Sequence, residues 1–487
     1  MKILPRSIIV FSLLLMISCT PQQATNTTKK ADRPNILFIL CDDLGYSDVG
    51  FNGGKDVKTP SLDALATGGT MFSSAYVAHP FCGPSRAALL TGRYPHLIGS
   101  QFNLPRTGER GHQTKGVPAE ESFLSKTLQN AGYYTGAVGK WHLGHAEEFH
   151  PNNRGFDDFY GFLGGGHNYF PTKYQAAYQR EVEKGTKAIW DYITPLEHNG
   201  KEVKETEYLT DAFSREAIRF VNDATKKDNP FFLYLSYNAP HSPLEAKEED
   251  LAKFSHIKDK KRRTFAAMVY AVDRGVGQIV ETLKTNGQFE NTLIVFLSDN
   301  GGKLKLGGTN YPLTAGKGST HEGGYRTPMF FHWSKKVKAN HKYVFPISAL
   351  DFYPTLAELA GANLPKNKVL GGKNIWNDVM KNENAREGEM IYALRHREGY
   401  TDVGVRQDEW KALRVGQKKW QLFNIEEDMG EKNDLSAKHP ERLKKMVENT
   451  KSWSNKHLQP LWFYNDKTED EWKAGDMPHF DKTFKVE

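Results

Sequence analysis

The sequence predicts an α/β fold: a large, mainly parallel sheet flanked by helices, with a smaller C-terminal antiparallel α+β subdomain. Three observations carry this. Short apolar runs end abruptly in polar residues, as strands buried on both faces do. Amphipathic helical patterns stand between them, the alternation that covers a parallel sheet. Beyond about Lys366 the rhythm changes to short strands separated by tight turns.

At the N-terminus, Lys2 and Arg6 precede an apolar run over residues 8–17, broken only by Ser12. A basic start followed by a short apolar stretch reads as a secretory signal. The run is too short to span a bilayer, which takes about 20 residues. Ser18-Cys19 then resembles a lipobox, in which the cysteine is acylated and becomes the new N-terminus. Residues 1–18 are therefore expected to be a signal peptide, and 19–33 a lipidated cysteine with a flexible polar tether. The expected setting is the periplasm or outer membrane of a Gram-negative bacterium, with a lipid anchor on Cys19.

Residues 34–365 form the expected main domain. Strands are expected at residues 35–40, 135–138, 231–237 and 292–297. Helices are expected at 61–66, where Thr59-Pro60 offers a cap and a first-turn proline, at 123–131 and at 264–283. Leu209, Ala212, Phe213, Ala217, Phe220 and Val221 mark another by their helical spacing. Residues 366–487 hold expected strands at 391–394, 403–405, 410–415 and 420–425, a helix at 441–454, and a polar tail from Asp466 that wraps the surface.

Composition narrows the function. A hydrophobic share of 38% excludes wholesale disorder. A net charge of +7 over 487 residues is too mild for a nucleic-acid binder, which carries a concentrated basic patch. Cysteine is scarce: with Cys19 acylated, Cys41 and Cys82 allow at most one disulfide.

In open α/β sheets ligands bind beyond the carboxyl ends of the strands. Four such ends carry Asp42-Asp43, Lys140 with His142, His241, and Asp299-Asn300. Each alone also reads as a turn, a cap or an ordinary histidine; their joint placement on one rim is the argument. Three carboxylates and an amide oxygen are hard ligands, suited to Ca²⁺ or Mg²⁺ rather than zinc. No CxxC or HExxH spacing occurs. The histidines stay free for proton transfer. Cys41, at a strand end, reads as a small buried hydrophobe.

The stretch Cys82-Gly83-Pro84-Ser85-Arg86 reads as a turn opening a helix, and helix N-termini favour anions. Followed by Leu90-Thr91-Gly92-Arg93, it resembles the signature of the formylglycine-dependent sulfatases, of the alkaline-phosphatase-like superfamily. Asp42-Asp43, the Gly-Lys-Trp-His-Leu-Gly of 139–144, Ala239-Pro240-His241, Asp299-Asn300-Gly301, and Gly316-Lys317-Gly318 with Glu322-Gly323-Gly324 match further family motifs in order. The likeness is to bacterial lipoprotein arylsulfatases and to enzymes similar to N-acetylgalactosamine-4-sulfatase.

The resemblance implies sulfate-ester hydrolysis. Cys82 is oxidised to formylglycine by a maturation enzyme. Asp42, Asp43, Asp299 and Asn300, with an oxygen of modified Cys82, bind one divalent cation, Ca²⁺ or alternatively Mg²⁺. Arg86, Lys140 and Lys317 stabilise the sulfuryl charge. His241 with Lys317 protonates the leaving oxygen, and His142 helps to release sulfate. The implied substrate is a sulfated carbohydrate, either a galactan such as carrageenan or a glycosaminoglycan fragment. Arg106, Arg110, His112, residues 164–169 and Arg395-His396-Arg397 are candidate subsite positions. Two other functions compete: a phosphate hydrolase of the same superfamily, which needs a Ser or Thr nucleophile, and an inactive glycan-binding lipoprotein.

Overall fold

A computed structural model describes residues 33–475 and 482–486 of the chain. The signal read at 1–18, Cys19 and all of the tether but Arg33 lie outside the described residues.

The strands are β1 (Asn35–Cys41), β2 (Thr70–Phe72), β3 (Ala75–Tyr76), β4 (Tyr134–Lys140), β5 (Asp158–Phe162), β6 (Leu196–His198), β7 (Lys201–Val203), β8 (Phe231–Ser236), β9 (Thr292–Ser298), β10 (Met329–His332), β11 (His341–Tyr343), β12 (Ile347–Ser348), β13 (Met390–Arg397), β14 (Tyr400–Gln407), β15 (Trp410–Arg414) and β16 (Gln421–Asn424). Ten form one sheet in the order β11-β2-β10-β9-β1-β8-β4-β5-β6-β7. Its centre, β9-β1-β8-β4-β5, is parallel throughout.

The apolar run of β1 follows from that central place. Ile36, Phe38 and Leu40 enter one core, while Leu37 and Ile39 enter the core on the opposite face. Burying such a side chain stabilises the fold by about 2 kcal/mol. Helices Leu209–Ala224 and Lys260–Thr285 cover the second face through Phe213, Phe220, Met268 and Val276. Helices Cys82–Thr91, Leu124–Asn130 and Phe352–Leu359 cover the first.

Two helix starts differ from expectation. Lys260–Thr285 begins four residues before Thr264, because the Asp259 side chain accepts from the Arg262 N–H at 2.7 Å. Helix Pro60–Thr67 is not capped by the Thr59 side chain. Its Ser61 and Leu62 N–H groups donate instead to the Asp273 carboxylate at 3.2 and 2.8 Å. Sequence reasoning could not find a cap borrowed from a distant helix.

Strands β13–β16 form the separate antiparallel sheet, packed against Leu443, Met446 and Val447 of helix Pro440–Ser454. The chain between Lys366 and that sheet still serves the first unit, since Ile375, Val379 and Ala385 join its core. The tail also departs from expectation. It begins with helix Asp466–Ala474, whose Trp472 enters the main core together with Trp462.

The two units meet around buried histidines. His96 lies 5.1 Å from His396 and 5.8 Å from His79, ring centre to ring centre. Burial pushes His79 and His396 down to about 3, and His96 well below its ordinary value. All three are neutral in the fold, whereas the unfolded chain takes up protons near pH 6.5. Stability present above pH 6.5 is therefore lost as the pH falls towards about 3, by about 1 kcal/mol per pH unit for each histidine. Denaturant midpoints should fall between pH 7.5 and 5, and less steeply in His96→Phe. Equal slopes for the two proteins would show that this cluster is not the acid-sensitive element.

Candidate active site

Strands β9, β1, β8 and β4 are adjacent and parallel, so their carboxyl ends share one rim. Asp42 and Asp43 follow β1, Lys140 ends β4 with His142 two residues on, His241 lies beyond β8, and Asp299 and Asn300 follow β9. The structure thus brings these seven predicted residues together on one rim. Asp43 and His142 hold left-handed backbone conformations, φ 67° and 63°. Such strain costs about 1–3 kcal/mol and persists where function requires the geometry. The Asp-Asn-Gly motif has a packing reason too: a Cβ on Gly301 would stand 1.8 Å from the Gly323 carbonyl oxygen.

Helix Cys82–Thr91 aims its N-terminus at the rim, with buried Cys82 as its first residue. Cys41 and Cys82 are both free thiols. Arg86, one turn on, is fully buried. Its Nε donates to Asp299 Oδ2 at 2.9 Å, and Nη1 donates to the Lys140 carbonyl at 3.2 Å and to Ser236 Oγ. It therefore clamps Asp299 against the strand ends.

The lysines bridge to the carboxylates. Lys140 Nζ lies 2.6 Å from Asp42 Oδ2, and Lys317 Nζ lies 2.5 Å from Asp43 Oδ1. Lys317 Nζ is also 4.0 Å from Cys82 Sγ. Asn300 Nδ2 donates to Asp43 Oδ1 at 2.8 Å. Asp42 Oδ1, Asp43 Oδ2 and Asn300 Oδ1 are left buried and without a hydrogen-bond partner among the described residues. Unpaired oxygens in a dry site are costly. One hard cation would satisfy them, and the donor set fits such an ion. Asp42, Asp299 and Cys82 present ligand atoms within 4.8 Å of one another, as do Asp42, Asp43 and His241.

The field at the rim is strongly mixed. Burial works to raise the Asp42 carboxyl, but Lys140, His241, Arg86 and Lys317 together hold it well below the usual carboxylate range. Asp299 is pushed up to about 7 by burial and by Asp42, against Arg86 and Lys140. Burial works to strip the Lys317 proton, yet Asp43 and the neighbouring acids keep it firmly charged. His142 is held neutral by burial and by Lys140. Burial takes His241 down to about 4, with Lys317 and Lys140 adding to the effect.

A cavity of about 900 Å³ stands over the rim, reached by Cys82, His142, His241 and Lys317. Its walls include Asn103, Trp190, Tyr192 and Tyr464, none of which the sequence reading singled out. Asn103 Oδ1 accepts from the Gly83 N–H at 2.9 Å and lies 3.8 Å from Cys82 Sγ. No motif marks it. Of the subsite candidates, Arg106, Gly165, Arg395, His396 and Arg397 line the cavity. Arg110 instead pairs with Glu469 at the surface. His167 is buried between the carbonyls of Asn168 and Thr194, and the Tyr169 hydroxyl donates to the carbonyls of Asn238 and His241, bracing that loop. His112 is buried against Asp191.

Known proteins resemble this chain in sequence and in fold. The sulfatase family model matches residues 34–362, and the model described as N-sulphoglucosamine sulphohydrolase, C-terminal, matches 316–456. The chain belongs to the sulfatase family. This sulfatase is 35% identical over 397 residues to the uncharacterized sulfatase YdeN of Escherichia coli (strain K12), covering 70% of this chain and 65% of that one. It is 33% identical over 380 residues to the N-acetylgalactosamine-6-sulfatase of Mus musculus, covering 76% and 70%. Among solved structures, Ps i-CgsB in complex with k-i-k-neocarrahexaose superposes with a TM-score of 0.91 at 59% identity, over 93% of this chain and 100% of that one. The sulfatase is accordingly a sulfuric ester hydrolase with the alkaline-phosphatase-like architecture expected of it.

One consequence concerns Gly165. A Cβ there would meet His142 Nε2 at 2.8 Å. Gly165→Ala in the sulfatase should lower kcat by about tenfold to a hundredfold through displacement of the imidazole, with an unchanged melting temperature. Unchanged kcat would remove His142 from the reaction.

Proposed function

We propose that this enzyme removes sulfate from a sulfated galactan of the carrageenan type, using Cys82 oxidised to formylglycine and one Ca²⁺ at the rim. The observation that carries the chemistry is the meeting of Cys82, at a helix N-terminus, with Lys317 and three unpaired buried oxygens. The substrate class is supported by the high identity to a protein solved with a carrageenan hexasaccharide. It is also supported by the cations around the cavity: Arg106, Lys303, Lys317, Arg395, Arg397 and Lys467.

Asp42, Asp43, Asp299 and Asn300 would hold the cation, which supplies positive charge against the sulfate oxygens and acidifies a bound hydroxyl. Formylglycine hydrate at residue 82 would supply two geminal hydroxyls, one to take the sulfuryl group and one whose deprotonation would free sulfate.

This chain's residues do the rest. Lys317 keeps its charge at the rim, and with Lys140 it would face the sulfuryl group as it inverts. Arg86 fixes Asp299, which accepts the nucleophile's proton. His241 Nδ1 donates to the Ser242 carbonyl at 2.8 Å, which turns Nε2 towards the reacting groups. An entering sulfate raises its affinity for a proton, and with Lys317 it protonates the leaving sugar oxygen. Neutral His142 accepts the second diol proton.

Residues 1–19 support export, lipid anchoring on Cys19 and a periplasmic or outer-membrane address. A maturation enzyme acting on Cys82 is then a required partner. The test is sulfate release from carrageenan oligosaccharides, chondroitin oligosaccharides and a phosphate monoester. The proposal expects sulfate from the first alone. Phosphate release, or sulfate from chondroitin only, would contradict it.

A further inference from the structure

Three segments of the cavity wall converge on a group that the rim chemistry does not use. His112 comes from the loop after Pro105, His145 from the segment beyond β4, and Asp191 from between Trp190 and Tyr192. His112 Nε2 lies 3.0 Å from Asp191 Oδ1, and His145 Nε2 lies 3.6 Å from Asp191 Oδ2. The imidazole centres are 4.5 Å apart and inclined by 50°. We propose that His112, His145 and Asp191 form a second metal site, for a borderline divalent ion of the zinc class.

The tautomer of His112 favours this. Its Nδ1 donates to the Pro105 carbonyl at 2.9 Å, which leaves the Nε2 lone pair for a ligand in the neutral ring. A backbone acceptor of this kind is the usual outer support of a metal-binding histidine. His145 adds an independent sign: both ring nitrogens are buried, and neither has a hydrogen-bond partner among the described residues.

The spacing fits as well. Zinc ligands at about 2.0 Å in a tetrahedron stand about 3.3 Å from one another. The separations of 3.0 and 3.6 Å bracket that value, and the three ligand atoms lie within 4.8 Å of one another. His145 and Asp191 both reach the cavity, so the fourth position faces it.

Ligand chemistry separates this site from the rim. Two imidazoles and one carboxylate select a borderline ion, whereas carboxylates with an amide oxygen select a hard one. The occupied site would pin three loops together. It would also set the position of Trp190 and Tyr192, whose rings stack at 4.3 Å and 9°, with Tyr192 6.3 Å from His241. The second ion would thus order the wall that meets the glycan.

The experiment is a calorimetric titration of the full chain with zinc chloride, in excess Ca²⁺, after treatment with a zinc-selective chelator. One zinc per chain is expected in the parent and in Cys82→Ala, the latter removing the thiol that opens the rim helix. His145→Ala and Asp191→Asn should each weaken binding by at least about a hundredfold, with the calcium-dependent melting temperature retained. Cobalt substituted for zinc should give the visible bands of a tetrahedral ion, absent from His145→Ala. No zinc uptake by the parent, uptake unaffected by both wall variants, or uptake lost in Cys82→Ala would each overturn the proposal. Where His145→Ala does not fold, Asp191→Asn decides. The titration reads binding alone, so its failure is separable from failure of sulfate release.

Discussion

Cys82→Ala is expected to abolish sulfate release while the fold and the rim persist. The side chain is the first of its helix, and its sulfur touches only Asn103 Oδ1 at 3.8 Å and Lys317 Nζ at 4.0 Å among the described polar groups. Removing it breaks no strong hydrogen bond, so stability should change by no more than about 1–2 kcal/mol. Loss of a nucleophile from a site that acts as a unit costs up to about 10⁶ in kcat. Cys82→Ser sharpens the test. A plain hydroxyl can take the sulfuryl group but has no second hydroxyl to expel it. That variant should bind at most one sulfuryl group per chain and then stop. Release of sulfate by Cys82→Ala at the parent rate would remove Cys82 from the chemistry.

The second large effect is metal removal. Asp42, Asp43 and Asp299 are each about 1% exposed or less, and they crowd one rim. Burial and the neighbouring Asp42 push Asp299 up to about 7, a measure of that crowding. Chelation should abolish turnover, and Ca²⁺ should restore it. Calcium at about a hundred times its dissociation constant should add about 2.7 kcal/mol of stability. Asn300→Ala should weaken calcium binding, because it removes one of the three unpaired oxygens together with the Nδ2 donor that holds Asp43. Calorimetry with and without calcium measures both. Full activity after chelation, with no change in melting, would contradict the cation's place at the rim.

Much of this was legible in the sequence, for reasons visible in particular residues. Ile36–Leu40 had to be apolar at every position because cores lie on both faces of β1, and that uninterrupted run is what marks a central parallel strand. The four polar strand ends then defined one rim, since adjacent parallel strands finish together. What escaped were relations between distant segments. Asp273 caps a helix some two hundred residues away, Trp472 returns from the tail into the main core, and Asn103 reaches the backbone beside Cys82. None of these leaves a local period or motif. Arg86 was found as a site residue, but its inward engagement with Asp299 was set by burial, which spacing does not record.

The most direct test of the central claim is the mass of the peptide containing Cys82, from protein made together with a formylglycine-generating enzyme. The account predicts a residue that has lost its sulfur and gained an aldehyde oxygen, in step with the fraction of chains that release sulfate. An unmodified thiol at residue 82 in fully active protein would contradict it.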